Sequence, residues 1–453
     1  MARNPVILHA ICGVSLARWR VERQAFAPSL LADQRLTAYM AALVCGACWV
    51  LIAGLTDLNT DSLATGPVAS LDSPQEWPGA DVDPQLPYVP ILSPLLPSAE
   101  RIVAYLRKID ATRIYTNRGP LVEDLERRLE GRLALPEGGI ATASSGTSAI
   151  VGAILARAGR PTAGRPLAMI PAYTFVATAV AVEQCGYRPY FVDVDPETWM
   201  LCPETLRNHP CLGQTGLILP VAVYGRPVAQ APWQAFHDAT GIPVVIDGAA
   251  SIDRVMAAPG DFVGAIPAAF SLHATKAYAT GEGGAVASTD PEFVQRTIQA
   301  LNFGFRGARD CTMPSINGKL SEYHAAVGLA EDDSWPEKAA ALQRVADSYR
   351  RLLGERFHGA PDLGLSYAML QCRDKTEAQA VIAAFDRADI GSRFWYGDGL
   401  HRQTYYANAA RDGLGVTENL AARLIGLPMA PDLGEPEIAR VAAAVLDGVR
   451  RAR

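Results

Sequence analysis

From about residue 86 onward, short apolar runs of this 453-residue chain alternate with segments of helical periodicity. The predicted strands are Leu167 to Ile170, Arg188 to Val194, Gly216 to Val223 and Pro243 to Ile246. Two amphipathic helices precede them, at Ser98 to Ile109 and Leu121 to Leu133. Strands that alternate with helices form mostly parallel sheets covered on both faces. The pattern therefore predicts an α/β fold with its ligand site at the carboxyl ends of the strands.

Three regions of different character divide the chain. Residues 1–85 form an N-terminal extension, with an uncharged apolar segment at 36–55 and a linker at 56–85 rich in Asp, Pro, Ser and Gly. Residues 86–335 carry the alternating pattern, which predicts a large α/β domain. In residues 336–453 we predict a smaller α+β domain, with a strand near Leu365 to Gln371 and helices near Glu337 to Leu353, Thr376 to Ala388 and Pro436 to Val449.

Charge and cysteine usage exclude several classes of function. The net charge is −6 and no basic block is present, so we do not expect nucleic acid as a partner. Eight cysteines are scattered without a regular frame, which favours reduced thiols in the cytoplasm. The pair Cys45 and Cys48 has no second pair to complete a zinc site and no strand-to-helix redox context. We predict no metal site.

The segment from Phe270 to Ala285 contains Lys276 between a Ser/His/Thr cluster and a Gly-Glu-Gly-Gly turn. Lysine is scarce in the chain, at positions 108, 276, 319, 338 and 375. A single lysine in a loop is usually a solvated charge. A lysine held among small residues and partly desolvated loses proton affinity, which Schiff-base chemistry with pyridoxal phosphate (PLP) requires. We therefore interpret Lys276 as a reactive amine.

Two other segments end in groups that PLP would need. Gly146, Thr147 and Ser148 precede a helical run, and backbone N–H groups at a helix N-terminus favour a phosphate. Asp247 ends an apolar strand and could pair with the protonated pyridine nitrogen. Taken singly, these segments are also explained by a helix cap and a structural ion pair. Together with Lys276 they predict a PLP site.

In order along the chain, these segments resemble the DegT family of sugar aminotransferases, within the PLP enzymes of fold type I. The similarity covers most of the chain after residue 86, from the Val89-Pro-Ile-Leu-Ser-Pro and Tyr115-Thr-Asn-Arg-Gly-Pro-Leu segments to Leu427-Pro-Met-Ala-Pro-Asp-Leu. The resemblance implies a mostly parallel, seven-stranded type of sheet between helices, with a smaller C-terminal α+β domain.

The resemblance also assigns roles to matching positions. Lys276 would bind PLP covalently, Asp247 would pair with the ring nitrogen, and Phe175 would cover the ring face. The phosphate would be held by Gly146, Thr147, Ser148 and Ser271, with Asn317 reaching it across the interface of a homodimer with shared active sites.

Four positions depart from the family pattern. Ala250 stands where the family usually has Gln or His near the cofactor hydroxyl, and Ile246 replaces a frequent acidic residue. Lys319 replaces a frequent arginine, and Ala277 replaces a frequent asparagine. The amine, the ring partner and the phosphate residues are retained, so these changes indicate an outlying subgroup.

The activity implied is a ping-pong transamination from an amino acid, by resemblance glutamate, to a nucleotide-linked keto sugar. It would serve the synthesis of a polysaccharide or a glycosylated metabolite. Relatives that dehydrate deoxysugars carry His at the lysine position, so Lys276 argues against that reaction. The alternatives are a cyclic ketone of the inositol type as acceptor, or a non-catalytic regulatory or membrane-tethered binding protein. The loop Ser392 to His401, with Arg393 and His401, is the candidate for acceptor selection.

The apolar segment 36–55 is long enough to span a bilayer as a helix. Its flanking arginines would leave the N-terminus in the cytoplasm and the rest of the chain outside. That topology would separate the enzyme from cytosolic substrates. We therefore favour a cytoplasmic enzyme with a non-inserted extension, and a membrane anchor is the alternative.

Overall fold

The structure, a computed structural model, describes residues 87–453. The whole predicted N-terminal extension, residues 1–85, lies outside the described residues, together with its apolar segment 36–55 and the Cys45–Cys48 pair. Within residues 87–453, no helix combines the length and the apolar character needed to cross a membrane.

Helices make up most of the regular structure. In chain order they are α1 Ala99–Thr112, α2 Pro120–Arg132, α3 Gly146–Arg157, α4 Ala177–Gln184, α5 Pro203–Leu206, α6 Gln230–Thr240, α7 Ile252–Ala257, α8 Pro291–Leu301, α9 Glu322–Leu353, α10 Lys375–Arg387, α11 Gly415–Arg423 and α12 Glu435–Arg451.

The strands are short, and most of them are fully buried. They are β1 Ile140–Ala143, β2 Leu167–Pro171, β3 Arg188–Val192, β4 Thr215–Ile218, β5 Ile246–Asp247, β6 Ala268–Ser271, β7 Gly284–Ala287, β8 Phe357–His358, β9 Ala368–Gln371, β10 Ala410–Arg411 and β11 Leu424–Leu427.

Two four-stranded sheets, in the orders β1-β7-β6-β5 and β10-β3-β2-β4, carry the parallel pairing that the sequence predicts. β2 pairs in parallel with β3 and β4, and β5 pairs in parallel with β6. β7 runs antiparallel to both of its neighbours. Parallel bridges from Ile218 to Val244 and from Val221 to Asp247 connect the two sheets. The predicted α/β fold is confirmed.

Helices cover the sheets and bury their apolar side chains. α3 packs against β6, β7 and α8, while α2 packs against β1 and α9. Parallel strands buried on both faces are nearly continuous apolar runs, and β2 and β6 are buried at every residue. The carboxyl ends of β2, β5 and β6 are therefore left as the accessible edge of a rigid core.

Several element bounds differ from the prediction. The strand predicted over Gly216 to Val223 ends at Ile218, because Pro220 has no N–H for a ladder and Tyr224 has a positive φ of 50°. The helix predicted from Glu337 begins at Glu322 and contains Pro336. Proline removes one backbone donor, but the packing of α9 against α1 and α2 holds the helix through that position.

The C-terminal part of the described chain contains a third sheet, β11-β9-β8, which is antiparallel. α10 and α12 pack against each other, and α12 also contacts α9. The predicted helices over Thr376 to Ala388 and Pro436 to Val449 match α10 and α12 to within about two residues at each end. The division into domains at residue 336 stays a prediction.

Candidate active site

A cavity of about 460 Å³ opens at the carboxyl ends of the parallel strands. Asp247 is the last residue of β5, and Ser271 is the last residue of β6 beside it. Lys276 follows β6 in a loop, and all three residues line the cavity. The sheet topology thus brings together side chains that are separated by up to 29 residues of sequence.

The carboxylate of Asp247 is buried, with 4% of the residue exposed. Burial raises its pKa, while hydrogen bonds and the charge of Lys276 oppose that shift. The Thr178 hydroxyl donates to Oδ2 at 2.6 Å and the Ala249 N–H donates to Oδ1 at 3.1 Å. Among residues 87–453, no arginine or lysine forms a salt bridge with this carboxylate. A cationic group bound in the cavity could therefore pair with the Asp247 carboxylate, which two hydrogen bonds orient and no salt bridge occupies.

The Lys276 side chain is half-buried in the cavity wall. Its backbone N–H donates to the His273 carbonyl oxygen at 2.8 Å, which fixes the loop. Its Nζ donates to the Tyr367 hydroxyl oxygen at 3.3 Å. The amine thus points into the cavity that also holds the carboxylate of Asp247.

The N-terminus of α3 forms another side of the cavity. Ser145 is the N-cap residue, and its hydroxyl accepts from the Ser148 N–H at 3.1 Å. Gly146 and Thr147 line the cavity in the first turn of the helix. The unpaired N–H groups of a helix N-terminus and the helix dipole suit an anion such as phosphate.

The remaining predicted site residues divide into two groups. Phe175 lines the cavity and is 60% exposed, so its ring has a free face. Ser148 does not line the cavity, and its hydroxyl is bonded to the hydroxyls of Ser144 and Ser145 at 3.0 Å each. Asn317 also lies outside the cavity lining, and its Oδ1 accepts from the Lys319 Nζ at 2.7 Å. The structure thus gathers six of the eight predicted residues around one cavity.

Several lining residues escaped the sequence prediction. Thr178 orients Asp247 and sits in the first turn of α4, where a buried threonine has no distinctive signal. Tyr367 comes from the C-terminal part of the chain, so only tertiary structure reveals its contact with the cavity. Trp395 and Tyr396 also line the cavity, and they belong to the loop Ser392 to His401 that the sequence named as the candidate for acceptor selection.

In the candidate acceptor loop, Arg393 lines the cavity and stacks over the Trp395 ring, 5.4 Å from its centroid. His401 does not line it. The imidazole is buried instead, with Nε2 3.2 Å from the Glu418 carboxylate. Of the two candidates in this loop, only Arg393 is therefore placed to meet a substrate.

PLP fits this set of residues. The cofactor has an aldehyde, a pyridine nitrogen that becomes cationic, and a phosphate. The cavity offers an amine at Lys276, a buried carboxylate at Asp247 and a helix N-terminus at Gly146. A Cβ at Gly146 would lie 2.7 Å from the Ser271 Cβ, so only glycine allows the start of α3 to lie this close to the end of β6. The fold and the site together define a PLP-dependent aminotransferase.

The family of the chain follows from its sequence. A model of the DegT/DnrJ/EryC1/StrS aminotransferase family matches residues 98–446, and the chain belongs to this family. The predicted resemblance is confirmed over most of the described chain, and the protein is a PLP-dependent transaminase.

Curated relatives cover nearly the same region. Protein Rv3402c of Mycobacterium tuberculosis is 32% identical over 373 residues, which span 80% of this chain and 90% of that protein. A UDP-N-acetyl-3-dehydro-alpha-D-glucosamine 3-aminotransferase of Acidithiobacillus ferrooxidans is 29% identical over 376 residues, which span 80% of this chain and 97% of the relative.

Solved structures share the fold. A Bacillus cereus protein assigned as a PLP-dependent aminotransferase matches with a TM-score of 0.73 and 26% identity, over 79% of this chain and all of the other. DesI, crystallised in the presence of its TDP-sugar product, matches with a TM-score of 0.70 and 26% identity, over 81% of this chain and 95% of DesI.

Replacing Gly146 by alanine should weaken PLP binding by about tenfold, the equivalent of one hydrogen bond to a charged group. The new methyl group would collide with Ser271 and displace the first turn of α3 from the phosphate. Fluorescence titration of the cofactor-free protein measures the affinity. Gly131→Ala is the matched control, because an added Cβ there meets nothing within 4 Å. Equal affinities for the two variants would contradict the phosphate assignment.

Proposed function

We propose that this enzyme transfers an amino group from an amino acid, by expectation glutamate, to a keto sugar carried on a nucleotide. The product would enter a polysaccharide or a glycosylated metabolite. The observation that carries the proposal is the single cavity lined by both Lys276 and Asp247. Two similar proteins support a nucleotide-linked acceptor. The Acidithiobacillus ferrooxidans relative is named for a UDP-linked sugar, and DesI was crystallised in the presence of its TDP-sugar product.

The chain's own residues would have distinct tasks. Bound PLP supplies an electron sink for the carbanion formed at the donor carbon. Lys276 would move a proton from the donor α-carbon to the cofactor in the first half-reaction, and a proton from the cofactor to the acceptor carbon in the second. Asp247 would keep the pyridine nitrogen protonated through a charge-assisted hydrogen bond. Thr178 and the Ala249 N–H would hold that carboxylate in place.

The other cofactor contacts follow from position. Gly146, Thr147 and Ser271 would bind the phosphate, and Phe175 would cover one ring face. Ser148 would contribute by holding the first turn of α3 in place, because its N–H donates to the Ser145 hydroxyl at 3.1 Å. Asn317 lies outside the cavity lining. By the family resemblance, it would serve the site of a second copy in a homodimer.

The architecture proposed is a seven-stranded sheet in a large domain over 86–335, followed by a small domain over 336–453. The parallel bridges between the two four-stranded sheets support a continuous large sheet. Because nucleotide-linked sugars are cytosolic metabolites in the proposed pathway, we place the enzyme in the cytoplasm.

A screen with isotopically labelled glutamate tests both the reaction and the acceptor. The purified, PLP-loaded protein is first mixed with glutamate alone, and we expect the absorbance band of bound cofactor to bleach. A panel of nucleotide-linked keto sugars, together with an inositol-type cyclic ketone, is then added, and mass spectrometry identifies the labelled amine. If the label appears only in the product of the inositol-type ketone, the acceptor is a cyclic ketone and the proposed nucleotide-linked keto sugar is wrong. An unchanged absorbance band with glutamate and with other amino acids would instead indicate a non-catalytic protein.

A further inference from the structure

Tyr367 is a buried tyrosine, 8% exposed, that immediately precedes β9 and lines the active-site cavity. Its ring is held between Tyr224 and Trp395, with a centroid distance of 5.4 Å to each. Its backbone N–H donates to the Gly364 carbonyl oxygen at 3.0 Å. These contacts on both sides give the phenol a fixed position.

The hydroxyl of Tyr367 meets the amine of Lys276. The Nζ donates to the Tyr367 oxygen at 3.3 Å and lies 5.6 Å from the ring centroid. No second side chain of residues 87–453 forms a hydrogen bond with this amine.

The direction of this hydrogen bond matters for proton transfer. A lysine that acts as a base must aim its lone pair at the substrate carbon. When the neutral amine of Lys276 donates an N–H to the Tyr367 oxygen, the bond restrains Nζ and leaves the lone pair free. An unrestrained lysine samples many rotamers, and a misplacement of 1 Å in a reacting group can slow a reaction by about 10²-fold.

We infer that Tyr367 is a positioning residue, which holds the released amine of Lys276 in the orientation for proton transfer in both half-reactions. This inference rests on the proposed role of Lys276 as the proton carrier. Loss of the Tyr367 hydroxyl would then slow the proton-transfer step and leave the affinity for the amino acid donor unchanged.

The test compares Tyr367→Phe with wild type in the glutamate half-reaction. Phenylalanine keeps the ring and its packing and removes only the hydroxyl. We expect the rate constant to fall between about 10- and 100-fold with the KM for glutamate unchanged. The isotope effect with α-deuterated glutamate should rise, because proton transfer becomes the slow step. A readout separate from turnover is the rate at which the cofactor-free protein attaches PLP, which should fall about tenfold.

Tyr173→Phe is the matched control. Tyr173 is buried in the same core cluster as Tyr224 and Tyr367. Its hydroxyl lies 2.7 Å from the Tyr224 hydroxyl, and the residue does not line the cavity. Wild-type attachment and isotope effects in Tyr367→Phe would overturn the inference, as would equal losses in both variants. If Lys276→Ala retained turnover, the proposed function itself would fail, whatever the tyrosine variants showed.

Discussion

Lys276→Ala is expected to lose covalent PLP attachment and to lower the transamination rate by on the order of 10³-fold or more. The Lys276 amine lines the cavity and can both attach the cofactor and carry a proton between the substrate carbon and the cofactor. Removing it deletes both tasks at once. Denaturing mass spectrometry after borohydride reduction measures the attachment, and stopped-flow absorbance measures the half-reaction with glutamate.

Lys375→Ala is the matched control, because Lys375 is an exposed residue at the start of α10. This variant should attach PLP and react as wild type does. Cofactor that stays covalently bound in Lys276→Ala would mean that another lysine carries the chemistry. Lys319 would be the first to examine, since burial lowers its pKa.

Asp247→Asn should change activity and stability in opposite directions. The rate should fall by about 10²-fold or more, because a neutral amide cannot hold the ring nitrogen protonated. The cofactor-free protein should become more stable by about 1 kcal/mol, because asparagine removes a buried charge that forms no salt bridge within the described chain. Its amide can still accept from the Ala249 N–H and donate to the Thr178 hydroxyl.

The pH dependence of stability separates this explanation from a packing effect. Burial raises the pKa of Asp247 in the folded protein above its ordinary value near 3.8. The folded state therefore binds the proton more tightly, and wild-type cofactor-free protein loses stability as pH rises from that value through the raised pKa. Asp247→Asn lacks this loss, so the difference between the two proteins should grow with pH.

Urea unfolding of both cofactor-free proteins across the acid range measures this difference, and bound PLP should reverse it. A pH-independent difference, or an Asn variant that is less stable at neutral pH, would contradict the assignment of an uncompensated buried carboxylate.

Part of the candidate site can be predicted from the sequence alone. Asp247 ends a predicted strand and Gly146 begins a predicted helix, so topology rules already place Asp247 and Lys276 at one edge of the sheet. Ser271 is assigned to the site by the family resemblance alone. Lys276 is recognisable because lysine is scarce and its neighbours are small. These predictions depend on local patterns, which survive in a single sequence.

Other features need the tertiary structure. β1 and β7 are four-residue strands rich in small residues, and such segments lack the β-branched alternation that marks a strand. α9 continues through Pro336 because its neighbours stabilise it, which no local rule predicts. Tyr367 is 91 residues from Lys276, so its contact with the amine is invisible before folding.

The cavity takes its walls from residues as far apart in the chain as Ser145 and Tyr396. A nascent polypeptide therefore has no complete cofactor site until Tyr396 has left the ribosome. The cavity is therefore closed only after β9 and the loop after Gly391 have docked, which makes its closure a late step of synthesis and folding. A polypeptide terminated before Tyr367 would contain the strands β1 to β8 but would lack the cavity wall that Tyr367, Trp395 and Tyr396 supply.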